Sequence, residues 1–372
     1  MSLSERCRSW AHVGAGDLPT YRRVISSHMQ SLAEVTGLSR EAAERQLQIV
    51  DLVLGAWSDV SVKDLDRHHS FTANDGSPVE FSFAVSKSSA VVRVLFEPLG
   101  GVVNPFSSWR EGLVLAQRLE QVAGIDVGRF WSIKDLFSSP AAGDSFSMLY
   151  SAELDAWAEA PLFKVYLNPS LQGSAPAEVV GAAMARLGMG EEWSGLYRHL
   201  DHSTHGRDGA EIALFALDLG GSPDARVKIY LRHTGCASVE IDQVARFAGD
   251  YQPGWFTEIL YHLYGDGVAR LAKPPMTCFA FTENTIGTCS ATLYCPLDPN
   301  LVSDAAADGR ITAVLDTVRI DPGMYRAAMH TICGSDLAGS NRLSWVSFKR
   351  PGDPVMTVYA GLDGSPRQRG TR

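Results

Sequence analysis

The chain has 372 residues, 45% apolar and 20% charged, the balance of an ordinary globular protein with a core large enough to enclose a small-molecule cavity. Its formal net charge of −9 argues against nucleic acid as the main partner, because phosphate backbones are met by basic faces. No apolar run reaches the roughly 18 residues of a membrane helix, Met1–Trp10 carries Glu5, Arg6 and Arg8 in place of a leader's apolar stretch, and six cysteines without a Cys-x-x-Cys pair read as reduced thiols, so no membrane partner and a cytoplasmic location are expected.

In chain order, Tyr21–Thr36 and Ser39–Trp57 carry apolar residues at three- and four-residue spacing, which predicts helices with one buried face. Two strand-like runs follow, Val79–Val85 (VEFSFAV) and Ala90–Glu97 (AVVRVLFE), split by Ser86–Ser89. A helical stretch at Trp109–Gly124 precedes Ser147–Leu154 (SMLYSAEL) and Leu162–Asn168 (LFKVYLN). Another at Pro176–Leu187 precedes Glu211–Asp218 (EIALFALD) and Ala225–Arg232 (ARVKIYLR), joined through the turn-rich Gly220–Pro223. Trp255–Leu263 precedes Thr277–Thr282 (TCFAFT) and Ala291–Pro296 (ATLYCP). Ile311–Ile320 precedes Leu343–Lys349 (LSWVSFK) and Val355–Gly361 (VMTVYAG), joined through Pro351–Pro354.

The pairs begin near residues 79, 147, 211, 277 and 343, a period of roughly 65 residues. The simplest architecture is α+β, five helix–helix–strand–strand units whose ten antiparallel strands close into a barrel ringed by helices. Closure removes the exposed edges that an open ten-stranded sheet would keep, and equal repeats favour a cyclic arrangement. Residues 1–363 are expected to form one barrel domain, and Gly364–Arg372 (GSPRQRGTR) a polar, basic, disordered tail.

Side chains alternate between the two faces of a strand, so parity sorts them. In Ala225–Arg232, Arg226, Lys228 and Tyr230 oppose Val227, Ile229 and Leu231. In Leu162–Asn168, Lys164 and Tyr166 oppose Phe163, Val165 and Leu167. Glu80 and Ser82 oppose Val79, Phe81 and Phe83; Arg93 opposes Val92, Val94 and Phe96; Tyr294 opposes Leu293, and Tyr359 opposes Val358. The helices are the available cover for the apolar face, which leaves the other face for solvent or a lumen. A solvated face would mix both signs with Ser, Thr and Glu. The Lys-x-Tyr and Arg-x-Lys-x-Tyr alternations carry no acid on their face, which points to one convergent site.

Several fixed cations in a cavity suit a pyrophosphate. Neighbouring tyrosines offer π-faces to a carbocation and hydroxyls to phosphate oxygens. That combination is what ionisation of an allylic diphosphate requires, and Glu80 in the same lumen could accept a proton from an aromatic N–H.

At these residues the sequence resembles the dimethylallyltryptophan synthase family of aromatic prenyltransferases, over about Ser77 to Tyr359. The clearest matches are SPVEFSF at Ser77–Phe83, VVRVLFEPLGG at Val91–Gly101, FKVYLNP at Phe163–Pro169 and RVKIYLR at Arg226–Arg232; ATLYCPL at Ala291–Leu297 and the closing SWVSFK…TVY segment are looser. The length is similar to that of bacterial members. The resemblance implies the family's barrel of repeated ααββ units (the ABBA prenyltransferase barrel), with the active site in its lumen. It implies Glu80 as the residue that holds the indole N–H and removes a proton. It implies Arg93, Lys164, Arg226 and Lys228 as diphosphate ligands, with a further basic ligand at Lys349 or Arg350. Tyr166, Tyr230, Tyr294 and Tyr359 would shield the allyl cation. Dimethylallyl diphosphate is the implied co-substrate, L-tryptophan or a related indole the acceptor, and no metal cofactor is implied; the setting would be secondary metabolism. Tyrosine, another phenol, a hydroxynaphthalene or a tryptophan-containing peptide are alternative acceptors, and a non-catalytic barrel for an anionic small molecule is the alternative outside the family. Members often carry Gln where Thr292 stands and Tyr where Trp345 stands, departures that bear on donor binding.

Other signals carry less. His199, His202 and His205 form an HxxHxxH run, but positions six apart rotate away from one helix face and no nearby Cys completes a zinc set, so loop or surface histidines are expected. Cys289 and Cys295 read as buried thiols. No DDxxD pair supports a magnesium-bridged diphosphate, and the Gly runs at Gly14–Gly16 and Gly100–Gly101 match neither nucleotide-binding fingerprint. No Gly-x-Ser-x-Gly elbow supports a serine hydrolase.

Overall fold

Side-chain caps start the helices where the apolar periodicity begins. Ser39 Oγ accepts from the Ala42 N–H at 3.2 Å, and Asn104 Oδ1 accepts from the Ser107 N–H at 2.8 Å. Pro105, Pro176 and Pro322 occupy first turns, where a missing N–H costs nothing. Gly37 and Gly124 end two helices at φ of 75° and 64°, a left-handed conformation that a residue with a Cβ rarely adopts.

The computed structural model describes residues 19–362 apart from 64–69, 102–103, 139–144, 157, 172, 203–208, 250, 286–288 and 351. The first unit comprises α1 (Tyr21–Thr36), α2 (Arg40–Leu54), β1 (Val79–Val85) and β2 (Ala90–Phe96). The second comprises α3 (Pro105–Ala123), α4 (Gly128–Ile133), β3 (Met148–Leu154) and β4 (Leu162–Leu167). In the third, α5 (Pro176–Arg186) and α6 (Gly190–Asp201) precede β5 (Glu211–Asp218) and β6 (Val227–Arg232). In the fourth, α7 (Ser238–Ala245) and α8 (Trp255–Tyr264) precede β7 (Met276–Phe281) and β8 (Ser290–Pro296). The fifth has α9 (Asp304–Val318), α10 (Pro322–Cys333), β9 (Leu343–Lys349) and β10 (Val355–Ala360). Helices α4, α6, α7 and α10 were not located individually by periodicity, although the repeat required a second helix in each unit.

The ten strands form a closed barrel in which each strand pairs with its chain neighbours, and β1 pairs antiparallel with β10, for example through Ser82↔Tyr359. Closure leaves no edge strand to template another chain. The outward faces of the strands carry Phe81, Phe83, Phe96, Phe163, Phe215 and Phe279, all at most 1% exposed, against helix residues such as Ile25, Leu119, Ile259 and Tyr325. The core is therefore a sleeve between barrel and helices, with each buried large side chain contributing about 1.5–3 kcal/mol. This arrangement commits the other strand face to the lumen. The expected tail at Gly364–Arg372 lies outside the described residues, as do His205 and Cys7.

Candidate active site

The lumen encloses a cavity of about 840 Å³, the size of a small-molecule site. Strand parity brings Arg226, Lys228, Tyr230 and Arg232 along β6 to this cavity in axial order, and the pairing register places the other strands against that ladder. Three tiers result.

The first tier is cationic. Arg93 on β2, Lys164 on β4, Arg226 and Lys228 at β6, and Lys349 at the end of β9 all line the cavity. Two carboxylates stand among them. Glu153 on β3 lies directly across from Arg93 in the register, and its Oε2 accepts from Arg93 Nε and, at 2.5 Å, from Lys164 Nζ. Asp218 at the end of β5 lies across from Lys164; its Oδ2 accepts from Arg226 Nε at 2.5 Å, and Lys228 Nζ stands 3.7 Å from its Oδ1. The cationic faces of β4 and β6 are free of acid, as their sequences show, but the neighbouring strands bring these two acids into the same lumen. Arg350, one of the two basic positions expected at the end of β9, points elsewhere: it is exposed and donates to Gln252 Oε1 at 2.6 Å. Strand alternation puts Lys349, with Trp345 and Ser347, on the lumen face.

These charges set each other's protonation. Burial raises the Glu153 carboxyl, but the Arg93 and Lys164 charges outweigh it and hold the group well below the carboxylate range. Burial likewise opposes ionisation of Asp218, and Lys228, Lys164 and Arg226 bring it down to about 2. Burial lowers Lys228 to about 7, helped by Arg226 and Lys164 and opposed by Asp218.

The second tier is a belt of tyrosines on alternate strands, Tyr166 on β4, Tyr230 on β6, Tyr294 on β8 and Tyr359 on β10. Successive ring centroids are 6.2, 5.5 and 5.9 Å apart, so the rings form a continuous arc. Burial raises all four phenols, which keeps them neutral donors with intact π-faces. Thr292 lines the cavity across from Lys349.

The third tier holds Glu80, 5% exposed, with Leu95, Leu149, Leu214, Met276 and Trp345 lining the same end. The β9–β10 register shifts between Tyr359 and Ala360, which leaves Ser344 as the extra residue of a bulge. The Ser344 hydroxyl donates to Glu80 Oε1 at 2.5 Å. Burial raises the Glu80 carboxyl to about 7, the Ser344 hydrogen bond and the Lys273 charge oppose that, and Asp75 adds to it. Lys273 is a residue that sequence reading did not single out. It sits in the loop before β7, donates from Nζ to Asn74 Oδ1 at 2.7 Å, and places Nζ 4.2 Å over the Trp345 ring. The segment carrying Asn74 lies against the lumen and is tied down by Ser70, which donates to Glu97 Oε2 at 2.9 Å, and by Asn74 Nδ2, which donates to Asp298 Oδ2 at 2.9 Å.

His199 and His202 take no part in the lumen. His199 lies on α6 with Nε2 within 3.2 Å of the Gln243 and Val244 carbonyl oxygens, and His202 is exposed at the end of that helix. Among the described residues no group of three or more His, Cys, Asp or Glu side chains is arranged to hold a metal ion.

The family model described as tryptophan dimethylallyltransferase matches residues 19–263. Among solved structures, 6-dimethylallyltryptophan synthase from Micromonospora olivasterospora in complex with DMASPP and Trp is 25% identical, with a TM-score of 0.83 over 93% of this chain and 99% of that chain. The 5-dimethylallyltryptophan synthase from Streptomyces coelicolor is 24% identical, with a TM-score of 0.83 over 94% of this chain and 99% of that one. AnaPT from Neosartorya fischeri has the same fold at 17% identity and a TM-score of 0.75, over 92% of this chain and 93% of that one.

Proposed function

The chain belongs to the tryptophan dimethylallyltransferase family, and on that premise we propose that its lumen transfers a dimethylallyl group from dimethylallyl diphosphate to the indole of tryptophan. The observation that carries this reading is the axial order of the tiers: fixed cations, then a tyrosine arc, then one buried carboxylate with an apolar lining. In that order the reaction's charges each meet a complementary group.

Arg93, Lys164, Arg226, Lys228 and Lys349 hold the diphosphate and stabilise the negative charge that grows as the C–O bond breaks. The allyl cation lies against the neutral tyrosine rings, whose π-faces stabilise it without capturing it. The indole, packed beside Leu95, Leu149 and Trp345, attacks the cation, and Glu80 takes the proton released on rearomatisation or from N1. A carboxyl near pH 7 is matched to that task, because it is ionised often enough to accept and basic enough to hold a proton. The closed barrel limits the water that would quench the cation to an alcohol.

Five cations supply the charge that a diphosphate needs, which supports a reaction run without a metal. No helix among the described residues is long and apolar enough to cross a membrane, and the buried free thiols Cys236, Cys278, Cys289, Cys295 and Cys333 suit a reducing, cytoplasmic location.

The test is to incubate the purified protein with dimethylallyl diphosphate and L-tryptophan in excess EDTA and to analyse the products by mass spectrometry. A species heavier by one C5H8 unit is expected. Product only after adding magnesium would refute the metal-free part, and no product across indoles, phenols and peptides would refute the transferase reading.

A further inference from the structure

The cationic tier contains two acids that binding an anion does not call for. Around five consecutive strands the charges alternate in sign: Arg93 on β2, Glu153 on β3, Lys164 on β4, Asp218 on β5, and Arg226 with Lys228 at β6. Asp218 is buried, at 3% side-chain exposure, and Glu153 is largely covered, at 12%. Each uses an oxygen on the cations that would hold a phosphate: Glu153 Oε2 on Arg93 and Lys164, and Asp218 Oδ2 on Arg226. Among the described residues no hydrogen bond reaches Asp218 Oδ1, so that oxygen faces Lys228 through charge alone.

Two roles are open to such acids, and they predict opposite signs. If they only orient the cations, removing one loosens the cradle and weakens anion binding. If they act as counter-charges, removing one leaves buried cations without compensation, and a bound anion then gains by supplying it.

The charge count favours the second role. Five basic side chains against two carboxylates leave a net charge of between two and three in the tier near pH 7, where Lys228 is part-protonated, close to the roughly three negative charges of a diphosphate ester or of pyrophosphate. Without the acids, five uncompensated cations would surround the departing pyrophosphate in a buried site, and product release would be slow.

We propose that Glu153 and Asp218 are positioning residues whose carboxylates compete with the diphosphate for the cradle's N–H donors, holding its net charge at a level that binds the donor and lets pyrophosphate go. This rests on the reading of the lumen as a diphosphate site. As pyrophosphate leaves, Arg93 and Lys164 return to Glu153, and Arg226 and Lys228 return to Asp218, so no buried cation is left unpaired.

The experiment is calorimetric titration of inorganic pyrophosphate into the wild-type protein, Glu153→Gln and Asp218→Asn, with thermal midpoints recorded to confirm folding. The amides keep the shape of the acids and remove one charge each. Tighter pyrophosphate binding by roughly tenfold or more is expected in either variant, with stronger product inhibition, a lower kcat and a KM for dimethylallyl diphosphate that falls or stays unchanged. Equal or weaker binding in the folded variants, while wild type binds, overturns the counter-charge role and leaves the diphosphate reading standing. If wild type itself binds no pyrophosphate, the diphosphate reading fails and takes the proposal with it. If neither variant folds, the acids are structural and the proposal falls.

Discussion

Glu80→Gln separates the energetic cost of the proposed base from its chemistry. The folded protein raises this carboxyl from 4.5 to about 7, with burial the largest cause. A group whose folded pKa is raised contributes stability that is complete below the unfolded value and is lost as pH rises through the folded one. At about 1.4 kcal/mol per unit, a shift of roughly 2.5 units means that ionised Glu80 costs the fold about 3 kcal/mol above pH 7, most of it accruing between about pH 4.5 and 7. Glutamine is neutral throughout and still offers an oxygen to the Ser344 hydroxyl. For a chain of 372 residues, 3 kcal/mol corresponds to about 4 °C in the unfolding midpoint. Thermal unfolding of both proteins at pH 5 and pH 8.5 should therefore show the variant gaining about 4 °C on wild type at the higher pH, while product formation with tryptophan collapses and pyrophosphate affinity is retained. A stability difference that does not change with pH would refute the raised pKa. Unchanged turnover would remove Glu80 from the mechanism.

Lys228, lowered to about 7 mainly by burial, holds its charge below that pH, so pyrophosphate affinity should fall as pH rises through about 7. Binding near pH 7.5 should take up protons, measured as a dependence of the calorimetric heat on the buffer's ionisation enthalpy; no dependence would contradict the shift. Tyr294→Leu removes the middle of the arc between Tyr230 and Tyr359 and should lower kcat by roughly tenfold or more while leaving pyrophosphate affinity within about twofold, since a desolvated cation–π contact is worth about 2 kcal/mol. Lys349→Met should raise the KM for dimethylallyl diphosphate, whereas Arg350→Ala should leave it unchanged because that side chain is bonded to Gln252 outside the lumen; equal effects would refute the register of β9.

The fold was legible because the barrel repeats one physical solution five times. Every expected strand lies within two residues of an observed one, since period-two alternation of β-branched and aromatic residues is a strong local signal. The helices that escaped individual notice span six residues in α4 and eight in α7, too short for an apolar stripe to stand out; α6 and α10, twelve residues each, do carry buried stripes, such as Trp193, Leu196 and Leu200, that a closer reading of the spacing would find. In the site, parity within a strand was sufficient for Arg93, Lys164, Arg226, Lys228 and the four tyrosines. It was not applied to β3 and β5, where the same alternation puts Glu153 on the strand face of Leu149 and Ser151, which line the cavity, and against Arg93 and Lys164. Lys273 and Asn74 lie on loops, where no periodicity exists and only the closed barrel brings them over Trp345.

What sequence could not supply at all is the contrast among the three lumen carboxylates. Glu80 and Asp218 are buried and Glu153 largely covered, and burial pushes each of them up. They diverge because of what stands beside them. Glu153 has two cations in hydrogen-bonding contact and Asp218 one, with a second at 3.7 Å, so both stay ionised at any working pH. Glu80 has a neutral hydroxyl as its bonded partner and the Lys273 charge as a lesser influence, so its proton is exchangeable near neutrality. A carboxylate that cannot accept a proton is useful only as fixed charge, and one that titrates near pH 7 is wasted as fixed charge. One lumen thus holds acids of two kinds on opposite sides of the tyrosine arc, an arrangement that, on the proposed reading, would keep the proton-accepting group with the indole and the permanent charges with the diphosphate.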